Sequence, residues 1–428
     1  MTAYQPDEAF ALSLDADDAL QTYRQRFHIP EGPDHRQVIY FCGNSLGLQP
    51  TSVRDVIDQE LNDWAGLGVD AHFDGNTPWY SYHEIFRDSG ARLVGANPGE
   101  VVMMNSLTVN LHLMLVSFYR PTRQRYKILV DGPTFPSDTY AIKSQIMHHG
   151  LDPRSALIIV EPRAGEHSIR MEDLEEILDR EGERIAVVMC AGVNFFTGQV
   201  MDMRRIVEAA HRAGCYVGFD LAHAVGNIPL HLHEWGADFA VWCNYKYVNS
   251  GPGAVAGCFV HKRHADRPDL PRFAGWWGND PKTRFRMHLL ADFMPQSGAA
   301  GWQVSNPPIM ALAPLRASLA VFDEVGMPAL RAKSVRLTGY LAYLVDLMAS
   351  ARYEVITPSN TEARGCQLSI LVHDAPNKMF QELRACRVVG DFREPNVIRV
   401  APVPLYNTFH EVWRFARILD GRTPFGRG

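Results

Sequence analysis

An aspartate and a lysine 26 residues apart, Asp220 and Lys246, carry the most chemistry in this chain. Each follows an apolar run of strand length: Cys215 to Phe219 before the acid, Phe239 to Cys243 before the lysine. A Gly-rich turn, Ser250 to Gly253, leads into a third such run, Ala254 to Val260. In an open α/β sheet, ligands bind at strand ends. A lysine amine placed there can form a Schiff base with a carbonyl cofactor. An aspartate can keep the ring nitrogen of pyridoxal phosphate (PLP) protonated. The plainer reading is a turn-capping Asp and a solvated Lys. Tyr245 and Tyr247 bracket the lysine, and apolar runs lie on both sides, so a freely hydrated ammonium is not expected. Burial depresses a lysine pKa and makes the amine a better nucleophile.

The segments FDLAHAVGN, CNYKY, SNPP and IRVAPVPLYN resemble kynureninase, a PLP enzyme family, and the likeness runs from GNSLGLQP near residue 43 to the C-terminal helix. The resemblance implies an α/β chain with the PLP-dependent transferase-like fold type I. A large domain, residues 60–310, would hold a mainly parallel seven-stranded sheet. Residues 1–59 and 311–428 would form a small α+β domain. PLP contacts are implied at Leu107, Thr108, Phe135, Pro136, Ser137, Asp138, Asp220, His223, Tyr245, Trp276 and Asn306, with Lys246 as the Schiff-base lysine. The N–H groups of Leu107 and Thr108, with the Thr108 and Tyr245 hydroxyls, would hold the phosphate. Lys246, Tyr245 and Asp220 would be the catalytic groups. Ser45, His72, Asn306 and Arg399 would meet the substrate, Arg399 forking onto its α-carboxylate. Trp276 and Asn306 would reach a neighbour's cofactor across a homodimer. The implied reaction is hydrolysis of L-kynurenine, 3-hydroxy-L-kynurenine or both, giving anthranilate or 3-hydroxyanthranilate and L-alanine. That places the enzyme in tryptophan catabolism and NAD biosynthesis. Ala191 departs from the pattern, standing where some relatives carry a hydroxyl.

Composition sets looser bounds. A chain of 428 residues is expected to form two domains. A net charge of −6 gives no reason to expect nucleic acid or a membrane surface as partner. No apolar run approaches the ~18 residues of a membrane span, and MTAYQPDEAF has no basic n-region. Seven cysteines without a CxxC fit a reducing cytoplasm.

The elements that must position the candidates begin near Glu100, where strand and helix patterns start to alternate. Strands are expected at Val101 to Met104, Lys127 to Val130, Ala156 to Val160 and Arg184 to Cys190. Helices are expected from Ser106 to Phe118, from Thr134 to His148 and from Asp202 to Ala213. Before them come a helix from Asp17 to Phe27, another from Ser52 to Trp64, and a Gly-rich loop, Gly66 to Gly75, carrying His72. Residues 261–310 read as an irregular, aromatic-rich stretch, and a helix is expected from Pro328 to Ala349.

Competing motifs are weaker. Gly43-Asn44-Ser45-Leu46-Gly47 matches the serine-hydrolase elbow, but Pro50 prevents a helix from following the serine. Gly251 to Ala256 fits a loose dinucleotide fingerprint without the helix it needs. His231 with His233, and His261 with His264, have ligand-like spacing. No cysteine or carboxylate set is visible to complete a site, so solvated histidines and no metal are expected. A cysteine desulfurase would need a mobile thiol, and the best candidate, Cys366, adjoins an apolar strand.

Overall fold

The computed structural model describes residues 4–267, 269–348 and 351–421. Seven short apolar runs form one sheet: β1 (Val101–Met103), β2 (Lys127–Asp131), β3 (Leu157–Val160), β4 (Ile185–Ala191), β5 (Tyr216–Asp220), β6 (Phe239–Trp242) and β7 (Gly257–Val260). Their order is β1-β7-β6-β5-β4-β2-β3. Strands β2 to β6 pair in parallel, and β7 runs against both its neighbours. This is the mainly parallel seven-stranded sheet expected.

Successive residues of a strand face opposite sides, and here both sides are buried. Leu129, Val188 and Phe219 pack into one core. Their neighbours Ile128, Val130, Val187 and Met189 pack into the other. That is why the central strands read as continuous apolar runs rather than alternating ones. At Gly218 a Cβ would sit 2.1 Å from the Phe239 ring, so only glycine lets β5 and β6 lie side by side there. Helix α1 (Leu107–Phe118) follows β1 and helix α2 (Pro136–His148) follows β2.

A third core, with Ile39, Phe41, Leu337, Tyr340, Ile370, Ile398 and Phe415, lies under a four-stranded antiparallel sheet. Its strands are Tyr353–Val355, Leu368–Val372, Asp391–Arg393 and Val397–Val400. The N-terminal segment joins this region, Ile39–Tyr40 pairing in parallel with Val388–Val389. The helix Ile309–Val325 instead sends Leu312, Leu315, Leu319 and Phe322 into the central sheet's core.

Four local features differ from the sequence reading. The first helix is Glu8–Ala16, begun by Asp7 accepting from Phe10 N–H at 2.9 Å. Asp17 to Phe27 holds only a 3-10 segment, Gln21–Arg26, because Asp18 bonds Leu20 N–H and turns the chain. The glycine-rich stretch around His72 is largely helical, a 3-10 turn at Gly68–Asp70 followed by Ala71–Asp74. The strand Asp391–Arg393 was not anticipated. The long helix expected to end at Ala349 runs Met327–Asp346, and Ala349 itself lies outside the described residues. Among the described residues, no helix is long and apolar enough to cross a membrane.

Candidate active site

The carboxyl ends of β2, β4 and β5 open onto a cleft of about 680 Å³. Strand β5 delivers Asp220 to it, and the turn after β6 delivers Tyr245 and Lys246. That turn is braced by the GNSLG segment. Gly47 N–H donates to Tyr245 O at 2.8 Å. A Cβ on Gly47 would lie 2.2 Å from Lys246 O, so a side chain there would push the lysine turn away. No helix follows Ser45 before Val53, so it does not stand at a strand-to-helix elbow, and its hydroxyl donates to Asp391 at 2.8 Å.

Lys246 Nζ stands 3.0 Å from His223 Nε2, with the Phe135 ring 5.8 Å and the Tyr245 ring 6.0 Å away. Burial, and then the charges of Lys246 and Arg399, hold the His223 pKa well below its usual value. The imidazole is therefore neutral, and Nε2 accepts from the lysine. Its Nδ1 is buried without a partner. Asp220 accepts from Ala222 N–H at 2.7 Å. Burial, then the nearby charge of Asp220, push the Asp138 carboxyl well above its usual range, so it keeps its proton and bonds to Asp220. Asp131 is also pushed up, to about 6, by burial. It accepts from Ala191 N–H at 2.7 Å and Asn194 Nδ2 at 3.3 Å. Burial raises the Tyr245 phenol too, so it remains a proton donor.

Two helix ends meet at the other side of the cleft. Ser106 makes no side-chain cap to α1, and Phe135 makes none to α2. The Thr108 and Ser137 hydroxyls lie 3.3 Å apart between them. Uncapped helix N-termini with adjacent hydroxyls attract an anion such as phosphate. These groups fit PLP: an amine for its carbonyl, a carboxylate for its ring nitrogen, an anion-binding turn and an aromatic flank. The unpartnered His223 Nδ1 and Asp138 Oδ1 are spare polar atoms in the same cleft.

Of the residues singled out from the sequence, the cleft gathers Leu107, Thr108, Phe135, Ser137, Asp138, Asp220, His223, Tyr245 and Lys246. Pro136 opens α2 beside them. Arg399 and Ser45 lie behind one wall, formed by Phe195. The Arg399 guanidinium donates to Phe195 O at 2.5 Å, and the Phe195 ring meets the Phe135 ring edge-on at 5.3 Å. His72, Trp276 and Asn306 do not line the cleft. His72 and Trp276 share a surface aromatic patch through Phe73 and Phe285, and Asn306 is exposed. Asp131, Asn194 and Phe195 were overlooked. Asp131 ends a strand just as Asp220 does, and that signal was present in the sequence. At Ala191 no hydroxyl is offered.

Of the four histidines expected to be solvated, His231 is exposed, but His233 is only half-exposed and His261 and His264 are buried. His264 is buried and bonds Asp238 at 2.7 Å. His233 and His261 gather around the buried carboxylate of Glu100, within 4.8 Å of one another. Glu100 is a carboxylate the spacing argument did not see, because it lies on a distant stretch of chain. Its oxygens accept from Asn97 and Lys262 N–H and from His233, while His261 Nδ1 accepts from Arg263 N–H. The trio is a hydrogen-bonded staple. Cys366 is buried, and burial pushes its thiol up to about 11, so it offers no thiolate.

A sheet of this order, with its lysine on the turn after one strand and its carboxylate at the end of the next, defines the PLP-dependent enzymes of fold type I. Solved structures share the fold. A C-DES mutant with glycine covalently linked to its PLP cofactor matches with a TM-score of 0.75 over 93% of this chain and 99% of its own, at 17% identity. The cysteine desulfurase CsdA from Escherichia coli matches with 0.75 over 98% and 99%, at 14% identity. Within that class the sequence is more particular. It is 54% identical to a kynureninase from Myxococcus xanthus over 98% of both chains, and 52% identical to one from Koribacter versatilis over 97% of both. A family model, the kynureninase C-terminal domain, matches residues 330–419. The chain belongs to the kynureninase family.

Proposed function

We propose that this chain hydrolyses L-kynurenine, 3-hydroxy-L-kynurenine or both, yielding anthranilate or 3-hydroxyanthranilate and L-alanine. The observation that carries the reading is the meeting of Lys246, Asp220 and the α1 helix end in one cleft, in a family member. PLP, when bound, supplies an electron sink for negative charge at the substrate's α-carbon. Asp220 would hold a proton on the cofactor's ring nitrogen. The turn at Leu107 and Thr108, with the Ser137 and Tyr245 hydroxyls, would hold its phosphate, and Phe135 would lie against its ring. Lys246 takes the proton from the substrate's α-carbon, and the neutral His223 leaves its amine free to do so. Tyr245 gives a proton to the γ-carbonyl oxygen as water adds there and recovers one from that water. Cleavage between Cβ and Cγ then releases the aromatic acid; the hydroxyl proton lost from the hydrated Cγ goes to Cβ, and Lys246 returns the α proton, completing L-alanine. Arg399 anchors the α-carboxylate and Ser45 lies beside it.

The working unit in this reading is a homodimer. His72, Trp276 and Asn306 would serve a neighbouring copy's cleft, and the exposed Phe73 and Phe285 beside them are apolar surface for that copy to cover. Residues 60–310 would form the large domain and 1–59 with 311–428 the small one, with the helix Ile309–Val325 packed against the large domain's core. Seven free thiols suit the cytoplasm, and the products place the enzyme in tryptophan catabolism and on the way to NAD.

The test is direct. Purified holoenzyme should show a visible absorption band that borohydride abolishes, and should release the aromatic acid and alanine in equal amounts. A protein with the band but no such turnover is another PLP enzyme. A protein without the band sinks the whole reading.

A further inference from the structure

Arg399 is 1% exposed, so its charge must be answered inside the protein. Two partners answer it. Nη1 donates to Phe195 O at 2.5 Å, and Nη2 pairs with Asp391 Oδ2 at 2.5 Å. The terminal nitrogens, which form the two-pronged grip on a carboxylate, are thus both in use. Nε is buried with no partner.

Asp391 is placed for this by register. It lies directly opposite Arg399 across the antiparallel pair of strands Asp391–Arg393 and Val397–Val400. It also has other partners. Ser45 Oγ donates to Oδ2 at 2.8 Å, and Arg393 reaches it at 3.1 Å through Nε and 3.2 Å through Nη2. The two residues are not equally dependent. Without Asp391, Arg399 keeps one carbonyl and no counter-charge. Without Arg399, Asp391 keeps a hydroxyl and a second guanidinium.

We propose that Asp391 is a built-in stand-in for the substrate's α-carboxylate, pairing with Arg399 in the empty site and yielding it when an α-amino acid enters. This rests on reading Arg399 as the substrate carboxylate's partner. Asp391 is then a positioning residue that acts through Arg399. One carboxylate replaces another, the displaced one falls back on Ser45 and Arg393, and the buried guanidinium is never left without a counter-charge. The exchange also sets selectivity: an amine without a carboxylate cannot displace Asp391. Phe195 transmits the state of this pair to the cleft, since its carbonyl holds Arg399 and its ring touches Phe135.

The experiment uses holoenzyme and the Asp391→Asn variant, which keeps the shape and the Ser45 contact. Binding of L-alanine and of ethylamine, the same skeleton without the carboxylate, is followed by the cofactor's absorbance. Loss of one charge-assisted competitor should tighten L-alanine binding about tenfold or more. Ethylamine binding should not change, and KM for kynurenine should fall while kcat stays within about twofold. Unchanged or weaker L-alanine binding in the variant overturns the proposal. Arg399→Lys separates the two levels: if it leaves L-alanine binding intact, the reading of Arg399 itself fails. Should the variant not fold, a crystal of wild-type holoenzyme soaked with L-alanine decides. Asp391 should have parted from Arg399 and kept Ser45 and Arg393. An Asp391–Arg399 pair that persists beside a bound alanine carboxylate overturns the stand-in role.

Discussion

Lys246 Nζ and His223 Nε2 are 3.0 Å apart, and the imidazole between the lysine and the protein interior is neutral. A protonated histidine there would repel the ammonium in a medium where charges are poorly screened. A neutral one accepts its hydrogen bond and holds it toward the cleft. Among the described residues, Lys246 is the one amine lining the cavity.

Lys246→Ala should therefore abolish steady-state turnover while leaving the thermal unfolding of the cofactor-free protein close to wild type. The side chain lies at a cleft wall, not in an apolar core, so its removal leaves no packed void. Activity assays and thermal melts on the same preparation check this. Residual turnover within tenfold of wild type would remove the lysine from the mechanism.

Asp220→Asn should keep PLP bound but cut kcat by at least about a hundredfold. An amide cannot hold the ring nitrogen protonated as a carboxylate does. Cofactor content is measured by absorbance and kcat by product release. Near-normal kcat with full occupancy would show that Asp220 only fixes the Ala222 turn.

Asp131 gives a stability effect with a defined sign. Burial in the fold pushes its carboxyl up from the ordinary 3.8 to about 6. The folded state thus binds this proton more tightly than the unfolded state. Stability is lost as pH rises through that window, and above it the ionised, buried carboxylate costs about 3 kcal/mol. Asp131→Asn removes the slope. In denaturant titrations of the cofactor-free protein, the variant should gain on wild type by about 2 kcal/mol more at pH 7.5 than at pH 4.5. An equal difference at both pH values would show that Asp131 ionises normally.

Much of this site was legible because strand ends are marked by composition. Asp220 and Lys246 each close a continuous apolar run, and a doubly buried parallel strand leaves that trace. Asp391 was not legible. Its strand is three residues long, half-buried and flanked by Gly390 and Pro395, so nothing periodic marks it. Its importance comes from register with Arg399, a long-range fact. Glu100 was missed for the same reason: it meets His233 and His261 only after the sheet has formed. The bracing role of the GNSLG segment was not legible. The segment read as an elbow pattern or a substrate contact, and the backbone that Gly47 approaches, that of Lys246, is some two hundred residues away.

Arg399→Lys should raise KM at least about tenfold with PLP occupancy unchanged. Lysine keeps the charge but has one nitrogen where the guanidinium has a fork, and a buried carboxylate partner is then half satisfied. Steady-state kinetics and cofactor absorbance check it. Unaltered KM would show that the α-carboxylate is held elsewhere.

The substrate's ring gives the last prediction. His72 Nδ1 lies 2.9 Å from Val69 O, a carbonyl that can only accept. The proton is therefore on Nδ1, and Nε2 is left as an acceptor. The His72 ring is held edge-on against Trp79 at 5.3 Å, which fixes where Nε2 points. A phenolic hydroxyl is the donor that matches it, and 3-hydroxykynurenine differs from kynurenine by one such group. Ser305 and Asn306, both exposed in the single chain, add further polar partners on the face that would meet a neighbouring cleft. A site built to bond a hydroxyl rejects the analogue lacking it, because its own polar groups go unpaired at about 1–3 kcal/mol each. The enzyme is therefore expected to favour 3-hydroxykynurenine by about tenfold or more in kcat/KM, and His72→Phe to bring the ratio toward one by lowering only the hydroxylated substrate's value. A wild-type ratio that favours plain kynurenine ends this reading. A hydroxykynurenine preference that survives His72→Phe moves the recognition from His72 to Ser305 or Asn306.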